Sequence, residues 1–137
     1  MTPTETALRL MEAMNQHQPE KLVGLMMEDH FFVDSLGHPS RGRAKMLQAW
    51  RAYYEFCPDY RVSHEEVFES VDKVAIFGSA GGTIAEHGKL SIQDRWQVTA
   101  AWLALVSNGL VKEWRVYADN KPVYDILARR SSKPRGS

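Results

Sequence analysis

The dominant hydrophobic period shifts midway along this chain, from helical to strand-like, and that shift limits the folds open to it. Up to Cys57 the apolar residues recur at helical spacing, and from Tyr60 onward they alternate or run in long β-rich stretches. "TPTE" at Thr2 to Glu5 fits a capping box with Pro3 in the first helical position. Ala7, Leu8, Met11 and Met14 follow on one face and predict a helix to about Gln16. Pro19 opens a short helix carrying Leu22, Leu25 and Met26, after which a strand is expected over His30 to Ser35. Met46, Trp50, Tyr53 and Cys57 mark the buried stripe of a third helix, which Cys57-Pro58 ends.

In "YRVSHEEVFES" Tyr60, Val62, His64, Glu66 and Phe68 alternate with Arg61, Ser63, Glu65, Val67 and Glu69, as in a half-buried strand. Three more strands read "KVAIFGSAGGT", "DRWQVTAAWLALV" and "LVKEWRVYA", the last two joined by the hairpin signal "SNG" at Ser107 to Gly109. Asp119 or Asn120 can cap a closing helix with Pro122 near its start and Val123, Ile126 and Leu127 on one face. Early helices followed by hairpin-linked strands make an α+β pattern: three N-terminal helices packed on one face of a curved antiparallel sheet, together enclosing a cone. One domain is expected over residues 1–128. "RRSSKPRGS" lacks apolar periodicity, so 129–137 is expected to be an unfolded tail.

Seventeen acidic and seventeen basic residues balance, with no basic stripe before the tail, which argues against a nucleic-acid or anionic-membrane partner and leaves small molecules or other proteins. Cys57 is the only cysteine, and no CxxC or Cys/His cluster offers a zinc site, so neither metal nor cofactor is expected. No apolar run approaches the roughly 20 residues of a membrane span, and the N-terminus lacks the order of a signal peptide. A soluble, cytoplasmic protein is the expectation.

"FFVDSLGHPSRG" puts a carboxylate, Asp34, at the end of an apolar run and just before a turn. Burying it ionised costs several kcal/mol unless it is paired, so Asp34 is either a working base or an Asx-type turn residue bonded to the backbone of "DSLG". His64 falls on the strand face shared with Tyr60, Val62 and Phe68, so it is expected to point to the apolar interior. Pointing inward beside a carboxylate it would form an Asp–His dyad suited to proton transfer near neutral pH; the plainer alternative is a core or rim histidine held by one hydrogen bond. Trp50 and Tyr54 lie one helical turn apart with Tyr53 beside them, while Trp96, Trp102, Trp114 and Tyr117 fall on strands expected to line the cone. Ordinary core packing is their alternative, and a one-residue change of register would turn every strand side chain to the other face. A cavity walled by these rings suits a flat or cyclic, mostly apolar ligand with a carbonyl or hydroxyl. The polar stretch Gly81 to Asp94 is either a lid, with His87 at the mouth, or a long hairpin connection.

With these elements in order, the chain resembles the nuclear transport factor 2-like superfamily of ketosteroid isomerases and SnoaL-type polyketide cyclases, over about residues 4–128. The resemblance is sharpest in "VDSLGHPSRGRAKMLQAW" and "GLVKEWRVYAD". It implies that Asp34 is a general base, that Asp119 after the last strand is a second catalytic carboxylate, that Trp50 and Trp114 take pocket positions, and that the chain forms a homodimer through the outer face of its sheet. Asp119 also stands where an N-cap belongs, which would explain it structurally. Leu103 and Leu105, opposite Trp102 on a strand apolar on both faces, agree with a covered outer face. The isomerase's oxyanion donors fall here at Leu10 and near Ala101 or Trp102, which argues against a ketosteroid isomerase proper. Two function classes follow: a cofactor-independent enzyme of isomerase, cyclase or dehydratase type, with Asp34 as base and His64 or Asp119 as partner, or a non-catalytic ligand-binding or dimeric interaction domain. If the rings simply fill the cone, a dimerisation module is what remains.

Overall fold

A computed structural model describes residues 1–132. Residues 133–137, the last part of the expected tail, lie outside the described residues. Along the chain run α1 (Pro3–Gln16), α2 (Pro19–Val23), β1 (Met26–Val33), β2 (Pro39–Arg41), α3 (Arg43–Phe56), β3 (Arg61–Ser70), β4 (Lys73–Thr83), a 3-10 turn (Ile92–Asp94), β5 (Arg95–Ser107), β6 (Leu110–Ala118) and α4 (Lys121–Ser131).

Local chemistry sets most of these boundaries. The Thr2 hydroxyl accepts the Glu5 N–H at 3.1 Å and starts α1, and His17 ends it in the left-handed region at φ 56°. Asn108 and Gly109, at φ 52° and 75°, form the primed turn that matches the twist of β5 and β6. The first strand begins at Met26 rather than His30, and Val111 N–H donates to the Leu25 carbonyl just ahead of it, so Met26 belongs to the sheet instead of the second helix.

The sheet is six-stranded in the order β2-β1-β6-β5-β4-β3. Its ladders are antiparallel except β1 with β6, which pair in parallel, a modification of the expected antiparallel sheet. The long excursion through α3 and the hairpins makes this possible, since no tight turn forces β6 to run against β1. The curved sheet and the helices on its inner face make the expected α+β architecture.

β3 departs from simple alternation. An irregularity between His64 and Glu66 leaves Glu65 as an extra residue, so Val67 opposes Ile76 on the inner face while Phe68 turns out and is 60% exposed. At the same place a Cβ on Gly78 would lie 1.9 Å from the Ser63 carbonyl oxygen, so only glycine permits this approach of β4 to β3.

The closing helix runs past residue 128 to Ser131, so the first residues of the expected tail are ordered. Arg129 and Arg130 both donate to the buried Asp94 carboxylate, and Arg130 also binds the Ile84 and Ala85 carbonyls. These partners, brought together only by the fold, extend the helix.

Candidate functional site

The middle of the inner sheet face is built from small residues. Gly78, Ala100 and Ala118 stand opposite one another across β4, β5 and β6, with Ala80 opposite Val98 beside them. Larger side chains flank the row on either side: Trp102 opposite Ile76 and Val116, Trp114 opposite Ala104, and Trp96 opposite Gly82. The helices do not fill the space above the row. A cavity of about 220 Å³ remains, closed on the helix side by Met14, Met46, Ala49, Trp50 and Tyr53.

All four tryptophans of the chain, Trp50, Trp96, Trp102 and Trp114, line this one cavity. Tyr53 and Tyr60 join them, their rings perpendicular with centroids 4.9 Å apart, and Trp50 tilts against Tyr60 at 6.1 Å. On the opposite side Trp102 and Trp114 lie 6.5 Å apart. Burial raises the pKa of both tyrosines far above the usual phenol value, so they stay neutral and remain hydrogen-bond donors. The Cys57 thiol behind Trp96 is pushed up to about 11, first by burial and then by the nearby Asp59 carboxylate, and is no nucleophile at neutral pH. Among the described residues the buried indole N–H of Trp96 meets no acceptor in good hydrogen-bond geometry, its neighbour being the Cys57 thiol.

Polarity gathers at one end. Asp34 follows β1 on the inward parity of His30 and Phe32 and lines the cavity together with Ser35 and Asn120. Its Oδ1 accepts the N–H groups of Leu36 and His38, each at 2.9 Å, so the Asx turn exists. Its Oδ2 faces His38 Nδ1 at 3.6 Å, and His38 is largely in solvent. Asp34 itself is 39% exposed and therefore sits where the cavity meets water. Asn120 Nδ2 donates to Ser35 Oγ at 2.8 Å, tying the start of α4 to the β1–β2 turn. Among the described residues no lysine, arginine or histidine lines the cavity, and none group into a metal site.

The cavity therefore unites Asp34, Trp50, Tyr53, Trp96, Trp102 and Trp114 and leaves out five of the residues read from the sequence. His64 keeps the parity of Val62, but on β3 at the sheet edge it is exposed, lining a shallow groove beside Glu5, Leu8 and Glu12 of α1. It is not the partner of Asp34. Asp119 is exposed, and its Oδ1 accepts the Lys121 N–H at 3.0 Å, so it does the work of a helix start. Tyr54 faces α1, its hydroxyl donating to the Met14 carbonyl at 2.7 Å and its ring stacked on His17. Tyr117, one position out of phase with Val116, is 55% exposed on the outer face. His87 is exposed and outside the cavity lining, in the β4–β5 connection that α4 fastens down.

Three polar lining residues, Ser35, Tyr60 and Asn120, escaped the sequence reading as pocket residues, as did the small and aliphatic residues around them. Tyr60 was legible by parity, since it precedes the inward Val62 by two. Ser35 and Asn120 carried no such signal, because their contact joins positions 85 apart.

The sequence profile of the SnoaL-like domain matches residues 7–114. The chain belongs to the SnoaL-like domain family. Among curated proteins none matches it by sequence. Several crystal structures share its fold. A candidate SnoaL-like polyketide cyclase from Shewanella putrefaciens CN-32 superposes with a TM-score of 0.78 at 17% identity, covering 93% of this chain and 86% of that one. A protein of ketosteroid isomerase-like fold from Catenulispora acidiphila DSM 44928, solved in complex with trimethylamine, gives 0.78 at 19% identity, with 93% and 95% covered. IdmH, a candidate polyketide cyclase from Streptomyces antibioticus, gives 0.77 at 24% identity, with 93% and 99% covered. These likenesses fix the SnoaL-like fold; the chemistry has to be argued from the cavity.

Proposed function

We propose that this SnoaL-like protein is a cofactor-independent enzyme of isomerase, cyclase or dehydratase type, in which Asp34 acts as general base on a small, mostly apolar substrate bearing a carbonyl or hydroxyl. One observation carries the reading: a carboxylate stands on the wall of an aromatic cavity with one oxygen, Oδ2, unspent by the turn. In that role Oδ2 takes a proton from substrate carbon or oxygen, while the neutral phenols of Tyr53 and Tyr60 in the same lining serve as the donors to a developing oxyanion. The candidate cyclases among its structural neighbours agree with such chemistry.

Since every tryptophan lines the cavity, binding should quench intrinsic fluorescence, and Trp50→Ala should weaken the effect. A panel of small cyclic carbonyl and hydroxyl compounds screened this way supplies substrates for the decisive variant. Asp34→Asn keeps an oxygen for the two turn N–H groups while abolishing basicity. Melting should stay near that of the parent while turnover falls by about 10²–10⁴-fold. Unfolding of the variant, or undiminished turnover, would reject Asp34 as the base.

A second reading, a non-catalytic ligand-binding domain, is favoured by the full engagement of Asp34 Oδ1 in the turn and by the exposure of the side chain. It predicts saturable fluorescence quenching without turnover of any compound bound. In either case we propose a cytoplasmic homodimer that associates through the outer face of the sheet. Among the described residues no helix is long and apolar enough to cross a membrane.

A further inference from the structure

We propose that the ligand of this cavity carries a positive charge, as a small tertiary or quaternary methylated ammonium. The inference rests on the reading of the cavity as the binding site and adds the class of molecule that enters it.

The argument begins with charge. Asp34 is the single ionisable acid in the lining, and the described lining holds no lysine, arginine or histidine. The phenols of Tyr53 and Tyr60 stay neutral, so an empty cavity has a net negative wall. An anion placed there would meet a like charge and no counter-charge, at a large desolvation cost. Asp34 Oδ1 is held by two backbone N–H groups, but Oδ2 has only the solvent-exposed His38 ring at 3.6 Å, so a cation in the cavity can pair with it where a neutral ligand cannot.

Aromatic faces strengthen the preference. Indole is the strongest of the aromatic side chains toward a cation over its face, and this cavity holds every indole in the chain. The rings stand at steep mutual angles, 90° between Tyr53 and Tyr60 and 48° between Trp50 and Tyr60, so the aromatic planes around the space are not parallel and a cation there meets rings in several orientations. Hydrogen bonding then separates kinds of cation. A primary ammonium brings three N–H donors that need acceptors, and apart from the phenols of Tyr53 and Tyr60 the lining offers only Asp34, Ser35 and Asn120, gathered at one end. A methylated ammonium has one such donor or none and presents methyl groups to the rings. In the enzyme reading its full charge also adds to the phenols of Tyr53 and Tyr60 in offsetting the negative charge that develops when Asp34 removes a proton.

The test compares choline with 3,3-dimethyl-1-butanol, the same shape with carbon in place of the charged nitrogen. Binding to the full chain is followed by tryptophan fluorescence and calorimetry at matched ionic strength. Choline should bind about tenfold or more tightly than the alcohol. Asp34→Asn should reduce choline affinity by about tenfold and leave alcohol affinity within about twofold. Trp50→Phe and Trp50→Leu should weaken choline binding in that order, and the fold-loss for choline should exceed that for the alcohol, which loses only apolar contact; the Phe variant keeps a ring should the Leu variant fold poorly. Equal or tighter binding of the alcohol overturns the cation and leaves the cavity as a site for neutral ligands. Binding of neither compound overturns the cation as well and, where a carbonyl panel also leaves the fluorescence unchanged, overturns the binding-site reading with it.

Discussion

His30 has no exposed surface, and its Nδ1 lies 2.8 Å from the Val111 carbonyl, an arrangement that makes Nδ1 the protonated nitrogen and leaves Nε2 buried without a partner. Burial pulls its pKa below the usual 6.5, outweighing the hydrogen bond to Val111 and the nearby Glu113 and Asp29 carboxylates, which raise it. The sign of the consequence follows from linkage. The unfolded chain takes up the proton as pH falls through about 6.5 and the folded chain resists it, so the stability from neutral His30 is complete above that pH and drains away below it. Carboxylates with lowered pKa values, such as Asp94 beside Arg130 and Arg129, lose their contribution only at still lower pH. Melting temperature should therefore decline between pH 7 and pH 5. His30→Gln keeps an N–H for Val111 but cannot titrate, and its melting temperature should be flatter over the same interval. Parallel profiles would assign the decline to other groups. At this same scale Asp34 is both a turn residue and a cavity residue, and the two roles use different oxygens.

α4 illustrates how an element acquires its length from partners distant in sequence. Arg130 is 17% exposed at its side chain and reaches Asp94, Glu86 and two backbone carbonyls of the β4–β5 connection. Asp94→Ala would leave these donors short of an acceptor, at a cost of about 1–3 kcal/mol. Amide exchange should quicken in α4 and across residues 84–94 while the central strands keep their protection; uniform quickening would count against a local clasp. The clasp also explains why the "RR" of a polar segment read as tail: nothing local favours order there, and the carboxylate that supplies it is 36 positions away. Where a side chain's fate depends on period and turn chemistry, the elements were legible, as with α1, α3 and the β5–β6 hairpin. The inward parity of Trp96, Trp102 and Trp114 followed from alternation along strands whose register proved regular near the cavity. His64 failed because strand parity says which face a residue takes and not whether another element covers that face. The extra residue Glu65 likewise left no mark in a stretch of three polar residues, His64 to Glu66, where alternation has nothing to register. β2 is three residues containing a proline, too short for a period to appear.

On the scale of the whole molecule the sheet has a second face, and it is not uniformly polar. Across its strands run the rows Glu66–Phe77–Ala101–Tyr117 and Phe68–Ala75–Leu103–Arg115, with Phe68 and Phe77 meeting edge to face at 6.0 Å. Phe68, Phe77 and Tyr117 are 60%, 45% and 55% exposed, although each is large enough to be worth burying. Toward the other end of β3 to β5 the same face turns polar, through Ser63, Ser79 and Thr99. A second copy laid over the apolar half would cover these rings and leave the polar half in water, and the Arg115–Glu113 pair near the patch offers both signs of charge to a two-fold partner. Because α1 to α3 and the cavity lie on the opposite face, association should not disturb binding. Sedimentation at micromolar concentration should give a dimer for the parent chain. Phe77→Glu, which places a charge in the centre of the patch at an already exposed position, should give a folded monomer whose ligand-induced fluorescence change is retained. A parent chain that sediments as a monomer, or a Phe77→Glu dimer, would place any assembly elsewhere on the surface.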